Sequence, residues 1–382
     1  EQQVLGRLAV FSGGFTREAA EQVAAADLPL LSALVDRSLV QRTAVGRFNL
    51  HNVVRQYAAE CLPADPETVQ RHSAYYLRWL AQLEDTLRGS RQREVLTAVA
   101  LDISNVRSAW QTAVESRGLD LLRGASFPLF YFYELRGFIH EGETVFRATA
   151  AALQTPGFPA PQETLVIGEL LTHWSYFAFR QGQITLAMES LRQVITQLES
   201  LPENSALSFS WRYLGLILAA NGRFTEALQL LDQSLERAAR HGKAWEVAIT
   251  QAYRGMIFYD LGELEAAAEL LDQARAASQA LGDPRLISFS LMLLGRTKLR
   301  LGQWSEAAHC HQRDIALGQS LNDLYGVAAA QHNLGEVLQQ QGPDHAPDAL
   351  QAYLAALKIY HQFHDTYNEI DLLANLGSLH RE

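Results

Sequence analysis

The sequence predicts a mainly α chain. It reads as a small helical domain with one hairpin, followed by an α-solenoid of helix pairs with a period of roughly 40 residues. Three observations carry this. First, Gly182-Gln183-Ile184-Thr185-Leu186-Ala187 returns in phase as Gly222-Arg223-Phe224-Thr225-Glu226-Ala227, Gly262-Glu263-Leu264-Glu265-Ala266-Ala267 and Gly302-Gln303-Trp304-Ser305-Glu306-Ala307. A fifth copy opens at Gly342, where two extra residues move its alanine to Ala349. Second, another glycine stands seven residues before each of the last four: Gly215, Gly255, Gly295 and Gly335. Third, the runs between glycines are apolar at helical spacing, as in Ala227, Leu228, Leu231 and Leu235. Self-similarity at one period of this size is the mark of a solenoid.

Each unit follows from its residues. Leu216 to Asn221 is compatible with a helix that ends at Gly222, and a glycine there can close the last turn in the left-handed conformation. Thr225, Glu265 and Ser305 suit the start of a second helix. The unit is therefore helix, tight turn, helix. The inner glycines cost roughly 1 kcal/mol each relative to alanine in a helix. Their recurrence predicts close approach of the second helix, with Ala227, Ala267 and Ala307 at the same crossing.

This grid resembles the tetratricopeptide repeat over roughly residues 165–382. In that family a small residue sits in the first helix, a large apolar one follows three later, and an alanine sits in the second. Leu218 and Phe258 keep the second of these places, and Lys298 departs from it. The period exceeds the family's usual length of about 34 residues, which resembles the extended variant of bacterial signalling regulators.

Composition sets bounds. A net charge of −10 disfavours nonspecific nucleic-acid binding by the whole chain. Two cysteines, Cys61 and Cys310, build no disulfide framework, and a reducing, cytoplasmic setting is expected. No run of 18 or more apolar residues appears, and no signal-peptide pattern opens the chain. Glu1-Gln2-Gln3-Val4-Leu5 already reads as helix, so the chain is expected to be cut from a longer protein.

Residues 1–62 read as three helices, a hairpin and a further helix. Val4, Leu5, Leu8, Ala9 and Phe11 give the first stripe; Thr16 is a candidate N-cap for the second helix; Leu28, Leu31, Leu34 and Val35 make the third. Ser38 to Arg42 alternates like a strand, Val45-Gly46 turns, Arg47 to Leu50 returns, and His51 to Leu62 is helical. That order is a winged-helix outline. Leu8-Ala9-Val10-Phe11-Ser12-Gly13-Gly14-Phe15-Thr16 and Leu31 to Val40 resemble the winged-helix segment of STAND signal-transduction ATPases, in the NB-ARC branch. Phe48 to Ala58 matches the stretch that holds the family's Met-His-Asp motif. The resemblance implies that His51 senses the β-phosphate of ADP held by the ATPase module. Leu50 replaces the motif's Met, and Asn52 replaces its Asp. A helix-terminal histidine with no ligand is the alternative for His51, because the chain has no Gly-x-x-x-x-Gly-Lys-[Ser/Thr] loop. No cofactor is expected in the chain itself; ADP or ATP would belong to the longer protein. Acidic and basic residues cancel across 1–62, and the apolar third helix has few groups to read base edges, so DNA binding is not expected.

Residues 63–164 read as a helical arm ending in a degenerate first repeat. Pro63-Ala64-Asp65-Pro66 marks a joint. A helix carries Tyr75, Tyr76 and Trp79, and a second runs from Val95 to Val114. Its Asp102 to Trp110 stretch resembles the linker arm of the same ATPases. Helices follow around 119–135 and 139–153, then a Pro-rich loop from Thr155 to Pro161. Phe127, Phe130, Tyr131, Phe132 and Tyr133 read as core under a capping repeat, or as a ligand pocket.

Residues 165–382 form the repeat superhelix, whose first helices line the inner face. The family's inward-pointing offsets, laid on this grid, imply a partner groove of Tyr176, Phe179 and Arg180; then Arg212 and Tyr213; then Tyr253, Met256 and Tyr259; then Arg296 and Arg300; and finally His332, Asn333, Glu336 and Gln339. Tyrosine and arginine are enriched at protein interfaces, and arginine grips carboxylates in a fork. The expected ligand is a protein or peptide with acidic character. No catalytic site is expected, so the chain is not expected to be an enzyme. His309-Cys310-His311 does not make a metal site, because adjacent helical residues diverge.

The expected function is the inducer-sensing and autoinhibitory region of a STAND ATPase, with its own ATPase module as intramolecular partner and no membrane. A passive protein scaffold and a DNA-binding transcriptional activator acting through the winged helix are the alternatives.

Overall fold

The computed structural model describes residues 2–43, 46–62, 64–154, 160–202, 204–363 and 365–380. Twenty α-helices and one two-stranded sheet occur among them. The chain divides into two units: 1–87 with 91–210, and 88–90 with 211–382.

The first unit opens with α1 (Gln2–Leu8), α2 (Arg17–Ala24), α3 (Leu28–Asp36), β1 (Val40–Arg42), β2 (Phe48–Leu50) and α4 (Asn52–Cys61). This is the winged-helix order. Thr16 Oγ1 accepts from the Ala19 amide at 3.1 Å and caps α2. Asp27 Oδ1 does the same for α3, from Leu30 at 2.9 Å. The strands pair antiparallel with Val40 opposite Leu50. Val45, half of the expected turn, lies outside the described residues; Gly46 has φ +77°. Phe11 and Phe15 stack at 4.4 Å in the core.

The arm contains α5 (Pro66–Gln82), α6 (Glu84–Leu87) and α7 (Gln92–Glu115). Asp65 caps α5, and Pro63 of the expected joint lies outside the described residues. The helix α6 was not foreseen. The wing is tied to the arm by a two-pronged pair: Arg47 donates to Asp102 on α7 at 2.6 and 2.9 Å. Four helices complete the unit: α8 (Leu119–Arg136), α9 (Ile139–Leu153), α10 (Pro161–Arg180) and α11 (Ile184–Glu199). The crowded aromatics of α8 are core: Phe130 stacks on buried His173 at 4.4 Å and touches Phe177 at 5.2 Å. Of the expected Pro-rich loop, Thr155 to Pro159 lie outside the described residues, and Pro161 opens α10.

After α12 (Ala206–Ala220) the second unit runs α13 (Phe224–Arg240), α14 (Ala244–Leu261), α15 (Leu264–Leu281), α16 (Pro284–Arg300), α17 (Trp304–Leu321), α18 (Leu324–Gln340), α19 (Ala346–Gln362) and α20 (Thr366–Leu379). Even-numbered helices are the first of each pair. The outer glycines take the left-handed conformation, with φ +74° at Gly222, +83° at Gly262 and +72° at Gly302. The second helices begin at Phe224, Leu264 and Trp304, two residues before a cap at Thr225, Glu265 or Ser305 would start them, so those residues are not the N-caps. The glycine turn itself delivers the chain into the helix.

The inner glycines are packing sites, as the repeat demands. A Cβ on Gly215 would meet Leu231 at 3.0 Å, on Gly255 Leu271 at 2.7 Å, on Gly295 His311 at 2.5 Å and on Gly335 Tyr353 at 2.5 Å. The seated side chain is thus four residues beyond Ala227, Ala267, Ala307 and Ala349. All four alanines are fully buried, and of the three expected at this crossing Ala227 and Ala267 bring their carbonyl oxygens to it, 3.2 and 3.5 Å from a Cβ on Gly215 and Gly255.

Candidate functional site

Helical spacing places Tyr259 four residues after Gly255, and Arg296 and Arg300 on one stripe of α16. Both guanidinium groups lie over the Tyr259 ring, at 5.3 and 4.8 Å from its centre. Arg300 Nη1 also donates to the Tyr259 carbonyl at 2.9 Å. Both arginines remain exposed. The neighbouring Asp260 carboxyl is raised by burial, opposed by the two arginine charges.

Beside Arg300 opens a cavity of about 480 Å³, lined chiefly by Glu336, Gln339, Tyr353, Asn375 and Ser378. Tyr353 donates to Gln339 Oε1 at 3.0 Å, and Gln339 Nε2 donates to Ser378 at 2.8 Å. Asn375 Nδ2 lies 2.9 Å from His332 Nε2 and 3.4 Å from Glu336 Oε1. His332 is also 3.9 Å from Asp371. The face is therefore cationic at α16 and carries carboxylates at α18 and α20, with amide groups between.

Other residues expected in the groove are placed differently. Arg212 is 0% exposed and lies over the rings of Tyr213 at 5.3 Å and Trp245 at 5.7 Å. Tyr213 and Tyr253 are buried, the latter edge-on to Phe289. Met256 packs half-buried in the α15–α16 core. Large aromatics on adjacent helices close over these positions, so they are packing residues rather than groove lining. In the first unit, Tyr176 and Arg180 both donate to Glu134, at 2.9 and 2.6 Å, and Phe179 is half-buried. Asn333 is half-buried on α18. Asn375 and Ser378 were not foreseen, although carrying the two-residue shift forward puts Gly377 in phase with Gly335 and Asn375 in phase with Asn333.

His51 is exposed at the start of α4, where its Nδ1 accepts from the Val53 amide at 3.4 Å. Asn52 accepts from Arg55 at 2.9 Å. His309 is exposed while His311 is fully buried against Gly295, so the two point apart. Among the described residues, no group of three or more His, Cys, Asp or Glu is placed to hold a metal ion. Nor is any described helix long and apolar enough to cross a membrane.

Comparison with known proteins supports this architecture. Residues 1–63 match the model of a winged helix-turn-helix domain. Residues 212–241 match a tetratricopeptide repeat. The chain is a winged helix followed by tetratricopeptide-like helix pairs. No curated protein matches it in sequence. Among solved structures, a Signal Transduction ATPase with Numerous Domains (STAND) protein with a tetratricopeptide repeat sensor from Pyrococcus horikoshii is 15% identical with a TM-score of 0.52. The match covers 100% of this chain and 62% of that one, so the chain spans less than two thirds of that protein. The Cut9–Hcn1 hetero-tetramer of the APC/C is 12% identical over 81% of this chain and 55% of that one, with a TM-score of 0.51. BtubC from P. vanneervenii is 18% identical over 59% and 92%, with a TM-score of 0.49.

Proposed function

We propose that the chain is the partner-sensing and autoinhibitory region of a cytoplasmic STAND-type ATPase of the NB-ARC branch, and takes a protein or peptide inducer on the first-helix face of its repeats. The observation that carries this is the Tyr259–Arg296–Arg300 cluster beside a polar cavity. Stacking on the ring holds each guanidinium before a ligand arrives, which lowers the entropy lost on binding. A carboxylate of the inducer would be gripped in the fork, while its donors would meet Glu336 and the amides of Gln339 and Asn375. Binding there releases the restraint on an ATPase module that carries the nucleotide, with His51 at the ADP β-phosphate. Hydrolysis belongs to that module and not to this chain. Coupling of this kind is reciprocal: nucleotide state changes inducer affinity by the same factor. A passive scaffold would lack that reciprocity.

The test is titration of a degenerate 12-residue peptide library, rich in Asp and Glu, against the chain and against Arg296→Ala with Arg300→Ala. Selected peptides should bind the double variant at least about tenfold more weakly, with binding that falls as salt rises. Equal affinity for both would remove the arginines from the site.

A further inference from the structure

One junction of the array breaks the pattern of the others. Three residues after an inner glycine stands a large apolar side chain in three copies, as Leu218, Phe258 and Leu338, and Lys298 in the fourth. Two more exchanges fall at the same junction. Arg275 on α15 is in phase with Leu235 and Ile315, and Cys310 on α17 is in phase with Leu230 and Leu270. Leu218 and Ile315 are buried where they stand, and Leu338 packs into the neighbouring core. Where lysine, arginine and cysteine replace them, a cavity of about 600 Å³ opens, lined by residues of α15, α16 and α17. That is within the range of roughly 300–1,000 Å³ that holds small ligands.

The lining has two characters. Ala268, Leu294 and Cys310 are apolar or nearly so, and the last two are buried. Arg275, Lys298 and Arg313 bring one cation from each of the three helices. Burial pushes the Cys310 thiol up, and the charges of Arg275, Arg313 and Lys298 all oppose that push, so the three act on one place. The Arg275 and Lys298 side chains are 21% exposed, whereas their carboxylate partners, Asp272 and Glu306, are 60% exposed. Glu269, the third acid of the lining, is exposed as well. The cations are thus held inward and their counter-ions outward. Ion pairs open to water in this way contribute little, so an anion entering the cavity can displace them at small cost. A charged group in an apolar place of the repeat costs stability, and such departures gather where a ligand is held.

We propose that this cavity binds a small organic phosphate monoester, its dianion between Lys298, Arg275 and Arg313 and its apolar body against Ala268, Leu294 and Cys310. A phosphate offers three acceptor oxygens and nearly two charges to the three cations. The site is built mainly from second helices and does not depend on the inducer reading of the first-helix face. The probe is naphthyl phosphate, titrated into the intact chain by calorimetry beside naphthoate and naphthol. The phosphate should saturate one site, with naphthoate weaker and naphthol at least about tenfold weaker. Lys298→Leu restores the repeat's residue, and Arg313→Gln supplies the residue of Gln233 and Gln273. Both variants should fold, Lys298→Leu melting at or above the parent temperature, and each should bind the phosphate at least about tenfold more weakly. Bound phosphate should also slow alkylation of Cys310 by iodoacetamide and leave exposed Cys61 unaffected. Absence of saturable binding, naphthoate or naphthol binding as tightly as the phosphate, unchanged affinity in either variant, or unprotected Cys310 would each overturn the proposal.

Discussion

His311 holds the place that Leu231 and Leu271 fill in neighbouring units, pressed onto Gly295, with neither ring nitrogen hydrogen-bonded among the described residues. Burial, aided by the Arg296 charge, lowers its pKa to about 4. As pH falls below 6.5 the unfolded chain takes this proton first, so the stability it contributes is present above pH 6.5 and lost towards pH 4. Asp314, pushed up to about 6 by burial, acts in the opposite direction between pH 6 and 3.8. His311→Leu should therefore raise the melting temperature more at pH 5 than at pH 7.5, by roughly 2 kcal/mol of extra stability. Thermal melts at the two pH values check it. The inner glycines give a paired prediction. Gly255→Ala should destabilise by about 1–3 kcal/mol through its contact with Leu271, while Gly377→Ala, in open space, should gain up to about 1 kcal/mol of helix stability. Denaturant melts of both decide. The glycine positions were legible because backbone approach permits only one residue type. The burial of Arg212 was not, because it depends on Trp245 from the next pair, which the repeat phase does not specify.

At the scale of elements, an ion pair ties the wing to the arm. The Arg47 and Asp102 side chains are 14% and 7% exposed, and Arg47 also donates to the Gly14 carbonyl at 2.8 Å. Asp102→Ala leaves that guanidinium unpaired in a poorly hydrated place and should cost about 3–5 kcal/mol, read as a lower urea midpoint. The hairpin, the Thr16 cap and the arm helices could all be read from alternation, capping residues and apolar spacing. Besides α6, two features escaped. The first stripe runs on to Phe11, yet α1 ends at Leu8 and the chain turns while Phe11 still enters the core. Thr225 and its counterparts look like caps, but a left-handed glycine three residues earlier already starts the helix.

At the scale of the molecule, the fold was readable because one 40-residue phase repeats across the array, and the face it presents was readable only in part. Arg296, Arg300 and Tyr259 stay together because they lie on one stripe of neighbouring first helices. Arg180 was lost to Glu134, a partner on α8 whose distance in sequence gave no sign of the pairing. The seating of each large side chain on its own unit's glycine has a modular consequence. Excising residues 262–301 would join α14 to α17 and bring His311 onto Gly255, so Gly215, Gly255 and Gly335 would each still meet a large side chain. The shortened chain should melt as a folded protein in circular dichroism. An array built this way can be lengthened or shortened by whole cassettes without redesign of what remains, and its reach along a ligand can change while its chemistry at any one rung stays the same.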